Sequence, residues 1–399
     1  MTAGASRAAG GVAFGVLFSL SISHCLNDAM QSVVSAVYPL IKDNLSLSFA
    51  QIGLITLVYQ MAASVFQPLV GIYLDKKPNP WFLPIGMGST FIGLLCLAFA
   101  STLWLVMIAV FMVGIGSSIL HPEASRLTSM ASGGKRGMAQ SIFQVGGNFG
   151  GALGPLFAAL LIAPFGQKHI ALACIMALAA MVSIYPVCRW YKRKLAEMKT
   201  ITGQEKVIEL PLSRKLTVFS ISILLILIFS KYIYMASLSS YYTFYLIDKF
   251  GVSVQHSQFF LFIFLFATAV GTLVGGPLGD KIGRKYVIWI SILGTAPFSL
   301  LMPHADLLWT CILSFLIGLI LSSAFPAILV YAQELLPYKL GLISGLFFGF
   351  SFGVAGIASA VLGEVADIHG IVYVYNLCAY MPLLGLVTYF LPDIRKYQK

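Results

Sequence analysis

Twelve apolar runs, separated by short polar breaks, dominate this 399-residue sequence. They cover about 14–41, 47–74, 81–100, 103–124, 138–163 and 169–189, then 215–247, 255–279, 286–303, 307–333, 341–363 and 370–391. A helix needs about 20 mostly apolar residues to cross the hydrocarbon layer. In lipid, a helix satisfies all backbone polar groups within a single run. The expected fold class is therefore an all-α membrane protein with twelve transmembrane helices. Composition agrees, with 59% apolar and 10% charged residues and a mean hydropathy of +0.90, against about 25% charged in a soluble domain. A soluble enzyme is excluded. The first run is too long for a signal-peptide core and reads as a retained span. Cys25, Cys96, Cys174, Cys188, Cys311 and Cys378 lie in or beside apolar runs with no C-x-x-C pair. They read as small packing residues, with neither a disulfide framework nor a metal site.

The net charge of +11 is a topology signal. With the amino terminus taken as cytoplasmic, 21 Lys and Arg fall on that side, among them Arg7, Lys399 and eight from Arg189 to Lys215. Only Lys42, Lys168 and Lys249 fall on the other side, and Lys231 sits inside a run. The positive-inside rule then puts both termini and the central loop in the cytoplasm. Cations facing anionic lipid need no nucleic-acid partner.

The two sets of six runs are related. Gly71-Ile72-Tyr73-Leu74-Asp75-Lys76 corresponds to Gly276-Pro277-Leu278-Gly279-Asp280-Lys281, 205 residues on, and Lys135-Arg136-Gly137 to Lys339-Leu340-Gly341, 204 on. A constant offset between six-span halves points to a duplicated transporter, with its binding site near the bilayer midplane. The expected domains are 1–188, a basic loop at 189–215, and 216–399.

Gly276-Pro277-Leu278-Gly279-Asp280-Lys281-Ile282-Gly283-Arg284-Lys285 resembles the G-x-L-x-D-[RK]-x-G-R-[RK] loop of the major facilitator superfamily. The first-half copy keeps the acid and basic pair, then departs at Lys77-Pro78-Asn79-Pro80. Asp75 and Asp280 can each meet the amino end of a helix in the opposite half, near Gly341 and Gly137, where unpaired N–H groups favour an anion. With Arg284, these residues form the expected conformational latch; a solvated turn charge is the plainer alternative. Gly146, Gly150 and Gly154-Pro155 resemble the G-x-x-x-G-P signature of drug–proton antiporters in that superfamily. Gly345 and Gly349 repeat the spacing in span eleven, and close helix packing accounts for such ladders on its own.

Several first-half segments are similar to the bacterial fosmidomycin resistance family of efflux transporters: Ser23-His24-Cys25-Leu26-Asn27-Asp28, Gln67-Pro68-Leu69-Val70-Gly71, His121-Pro122-Glu123-Ala124-Ser125-Arg126 and Gln140–Gly150. The resemblance implies a monomer in the bacterial inner membrane that exports a phosphonate or other amphipathic drug against protons, with no cofactor.

Intramembrane ionisable residues are costly and mark substrate or proton paths. In span one, His24, Asp28 and Gln31 recur at helical spacing on one stripe. Span seven places Lys231, Tyr234, Tyr241 and Tyr245 on one face. As repeat mates, both stripes are expected to face one cavity, with His24, Gln31, Lys231 and the three tyrosines binding substrate together with His121 of span four. Asp28 is the expected proton carrier, assisted by His24; the alternative is a permanent Asp28–His24 or Asp28–Lys231 pair. In span four, Pro122 is expected to kink or end the helix. There Glu123 is a second proton site with His121 as relay, or else a local ion pair with Arg126 at the membrane edge. Gln144 and Asn148 line the cavity or bond between helices.

The expected function is proton-driven export of a small molecule by alternating access. The alternatives are a proton-coupled importer of an organic anion and, remotely, a lipid-modifying membrane enzyme using His24 and Asp28 as acid and base. No nucleophile, phosphate loop or metal-binding spacing is present to support an enzyme.

Overall fold

In a computed structural model, residues 11–47, 49–162, 164–201, 212–252 and 254–396 are described. The expected charges Arg7, Lys206 and Lys399 lie outside them. No β-strand forms among the described residues. The helices are α1 (Phe14–Ala36), α2 (Tyr38–Leu45), α3 (Phe49–Lys76), α4 (Phe82–Ala98), α5 (Leu103–Ala131), α6 (Arg136–Phe157), α7 (Ala173–Ile201) and α8 (Arg214–Phe250). Then come α9 (Val254–Ile282), α10 (Arg284–Leu293), α11 (Ala296–Leu301), α12 (Leu307–Ser322), α13 (Ala324–Leu335), α14 (Leu340–His369) and α15 (Ile371–Cys378). Short 3-10 turns at Met302–His304 and Met381–Phe390 complete spans nine and twelve. The twelve apolar runs thus map one to one onto twelve helical segments, some of them broken. Three helix starts carry side-chain caps: Thr102, Ser213 and Asp306 accept from Leu105, Leu216 and Trp309 N–H at the starts of α5, α8 and α12.

Two expected boundaries are corrected. Pro122 lies inside α5, which continues to Ala131, so Glu123 and Arg126 are within the helix and buried rather than beyond its end. Proline is tolerated within a membrane helix because neighbouring groups take up the freed backbone bond. The polar stretch after Arg189 is also helical as far as Ile201; its Lys and Arg are good helix formers, and Lys194 pairs with Glu197 at 3.1 Å. The six cysteines are free, and Cys96 is exposed rather than packed inside.

The described residues divide into two compact units, with the boundary in 202–211. Residues Tyr338–Leu346, the start of α14, belong with the first. In the first unit α1 packs along α6. A Cβ on Gly146, Gly150 or Gly154 would collide with the Ser21 carbonyl, the Cys25 carbonyl and Ser32. The glycine ladder is therefore the surface that brings these backbones together. In the second unit Gly271 and Gly275 of α9 meet the Leu319 and Ser323 carbonyls in the same way.

Candidate functional site

The polar heart of the first unit is built from one stripe of α1 and one turn of α5. Asp28 sits one turn beyond His24, and its Oδ2 lies 3.2 Å from His24 Nε2. Its Oδ1 lies 3.4 Å from His121 Nε2, brought in by α5. Asn27 Nδ2 and Gln31 Nε2 donate to the same Oδ1 at 3.0 and 3.2 Å. Tyr59 of α3 donates to Gln31 Oε1. The two imidazoles meet edge to face, centroids 5.0 Å apart, and the His24 ring stacks on Phe143 at 4.1 Å. Both histidines are buried, whereas the Asp28 side chain keeps 21% of its exposure.

The far nitrogens of the rings decide where protons can be. His24 Nδ1 is 2.8 Å from the Phe143 carbonyl, and His121 Nδ1 is 2.9 Å from the Ser117 carbonyl. A carbonyl only accepts, so these contacts favour the tautomer with a hydrogen on Nδ1, while Ser117 Oγ also lies 3.2 Å from His121 Nδ1. Each Nε2···carboxylate contact is then favourable only when a further proton sits on the nitrogen or on Asp28. Without it, two lone pairs face each other. The cluster therefore has room for protons beyond those fixed at the backbone.

Glu123 is occupied elsewhere. Arg126 grips it through Nε at 2.8 Å and Nη2 at 2.9 Å, with Tyr191 of α7 on the same guanidinium. His121 therefore faces Asp28, and Glu123 faces Arg126. Gln144 is buried on α6, and Asn148, one turn further, is exposed.

In the second unit Lys231 is 5% exposed, its ammonium 5.2 Å from the Tyr232 ring centroid and 5.3 Å from that of Phe325 on α13. Among the described residues no carboxylate lies within ion-pair distance of it. Tyr234 and Tyr245 are fully buried. Tyr245 stacks on Tyr375 at 4.0 Å and accepts from Lys249 at 3.0 Å, about 21 Å along the helix from Lys231. Tyr241 donates to the Ser359 carbonyl of α14.

At the loop ends, Asp75 Oδ1 accepts from Gly341 N at 2.9 Å and Oδ2 from Leu342 N at 2.8 Å. The first turn of α14 has no acid of its own, and Asp75 supplies the anion that the helix end favours. Gly345, one turn on, lies against the Gln67 carbonyl. Asp280 pairs with Arg284 at 2.6 Å, and Arg284 reaches Glu334 of α13 at 3.2 Å. Gly137 opens α6 and Gly349 lies within α14; the side chain of Pro155 lies outside the described residues.

Sequence reasoning did not bring out Tyr59, Asn27, Tyr191, Phe325 or Glu334. Asn27 was within reach, as a polar neighbour of Asp28 in an apolar run. The others join through helix packing and have no periodic signal.

The chain matches the Major Facilitator Superfamily profile over residues 20–261 and 224–399. It is 56% identical to the "Fosmidomycin resistance protein" of Escherichia coli (strain K12), covering 98% of this chain and 96% of that one. It is 39% identical to the "Uncharacterized MFS-type transporter YfnC" of Bacillus subtilis (strain 168), over 98% and 96%. The fold is shared with the transporter FucP in its outward conformation, at a TM-score of 0.73, 15% identity, and coverage of 97% and 98%. Relatives and fold are transporters of small molecules rather than enzymes. This multi-pass membrane protein belongs to the major facilitator superfamily and resembles its fosmidomycin resistance proteins.

Proposed function

We propose that the protein exports a small amphipathic anion, a fosmidomycin-like phosphonate, in exchange for protons by alternating access. The observation that carries this reading is the His24–Asp28–His121 cluster, whose two Nε2–carboxylate contacts of 3.2 and 3.4 Å require protons that the backbone does not hold. Asp28 is the carrier, with His24 and His121 as its partners. The similarity to the Escherichia coli protein supports the substrate class. Lys231, buried on ring faces with no carboxylate partner among the described residues, is the group that meets the anionic head. Gln31, Gln144 and Asn148 offer amides to the substrate, and Tyr241 a ring. Tyr234 and Tyr245 hold the helix that presents Lys231.

On this reading Asp75 and Gly341, and Asp280 with Arg284 and Gly137, are the latch that opens and closes the cytoplasmic side. Glu123 serves that end of the path as the partner of Arg126. The protein works as a monomer in the bacterial inner membrane, with both termini cytoplasmic and the chain divided at the basic 189–215 segment.

Everted membrane vesicles test the proposal. Adding fosmidomycin to energised vesicles is expected to dissipate the acid interior in wild type and to leave it intact in Asp28→Asn. Full drug-dependent dissipation in Asp28→Asn would remove the carrier role. If fosmidomycin instead deepened the acidity, the direction would be symport.

A further inference from the structure

His24, Asp28 and His121 also form a set of metal-ligand atoms, drawn from two helices, that lie within 4.8 Å of one another. The two imidazole–carboxylate separations, one to each Asp28 oxygen, suit one small ion. Metal–nitrogen and metal–oxygen bonds of about 2.0–2.2 Å in a tetrahedral site put neighbouring ligand atoms about 3.3–3.5 Å apart. The contacts here are 3.2 Å from His24 Nε2 to Oδ2 and 3.4 Å from His121 Nε2 to Oδ1.

A second observation is independent of these distances. Both rings give their Nδ1–H to a backbone carbonyl, of Phe143 at 2.8 Å and of Ser117 at 2.9 Å. That is the outer-shell bond that fixes the tautomer and aims the Nε2 lone pair of a ligating histidine. Asn27 and Gln31 donate to Asp28 Oδ1, as outer-shell donors to a ligating carboxylate do. The neighbouring helix leaves the space clear: a Cβ on Gly147 of α6 would stand 2.5 Å from His24 Nε2 and 2.7 Å from Asp28 Oδ2.

We infer that His24, Asp28 and His121 bind one divalent transition-metal ion of the Zn2+ class, with a fourth position open on the exposed side of Asp28. Two imidazoles and one carboxylate match the donor preference of zinc, cobalt and nickel rather than of calcium or magnesium. The sequence hides the site because His121 lies 93 residues beyond Asp28 on another helix. The site is separable from the transport reading, since it is measured by binding alone.

The test titrates the full-length protein, purified in detergent without a histidine tag, with Co2+ alone. Four-coordinate Co2+ absorbs strongly in the visible. The expected result is a band that saturates at one ion per chain and is displaced by Zn2+. It is expected to disappear in His121→Gln and Asp28→Asn and to persist in His169→Gln. Gly147→Ala removes no ligand atom but fills the space beside them, and it is expected to weaken the band in a protein that needs no ligand replaced. No saturable band in wild type, or a full-strength band in His121→Gln or Gly147→Ala, overturns the assignment.

Discussion

Glu123 and Arg126 are three residues apart on α5, and their two hydrogen bonds of 2.8 and 2.9 Å lie almost wholly out of solvent. Breaking such a pair from one side strands a buried charge and costs about 3–5 kcal/mol, whereas replacing both members costs far less. Glu123→Gln is therefore expected to lower the unfolding midpoint sharply, and Glu123→Gln with Arg126→Gln to recover most of the loss. A double-mutant cycle on purified protein measures this; equal melting of wild type and Glu123→Gln would mean the pair contributes nothing. The sequence predicted the i, i+3 pairing, because helix geometry makes it local. It did not give how far the helix runs past Pro122, which looked like a possible end. Asp28 shows the opposite limit. Its neighbour His24 is a helix-periodic partner and legible; His121 is not, because that contact depends on how α5 lies against α1.

Gly150 and Gly151 are adjacent on α6 yet meet different surroundings. A methyl on Gly150 would run into the Cys25 carbonyl of α1, whereas one on Gly151 meets only Ser32 Oγ at 3.8 Å, an ordinary contact. Gly150→Ala is expected to reduce the yield of monodisperse protein after detergent extraction and to lower its melting temperature. Gly151→Ala is expected to behave as wild type. Equal behaviour would separate the ladder from the α1–α6 packing. The four-residue spacing made the ladder visible in the sequence, but not which helix it faces. The twelve runs were legible for a related reason: apolar length is a local property. The breaks within spans nine, ten and twelve were not, since Pro297, Pro326 and Pro382 interrupt or accompany helices without changing hydropathy.

For the whole molecule, the strongest large-scale expectation from the sequence is its division of cations, 21 to one side and three to the other. In a background without its six cysteines, Lys77→Cys is expected to react with an impermeant thiol reagent only from the cytoplasmic side of the membrane. Lys168→Cys is expected to react only from the opposite side. The reverse pattern would invert the orientation. The internal offset in the sequence marked two halves, but not the membership of Tyr338–Leu346 in the first compact unit. That membership comes with the bonds from Gly341 and Leu342 to Asp75, which no repeat offset encodes. The solitary ammonium of Lys231 has a further consequence. A sequence that folds smoothly lets each local choice agree with the global one, and native chains keep their few conflicts where function needs them. Lys231 is a point of such conflict: it is buried against the rings of Tyr232 and Phe325, and ring faces compensate only part of its lost hydration. On the proposed reading, because a ring face imposes little direction on a cation, the ammonium can lean toward anions of differing shape. On that reading, tolerance of several anionic ligands follows from a residue that is buried at a cost.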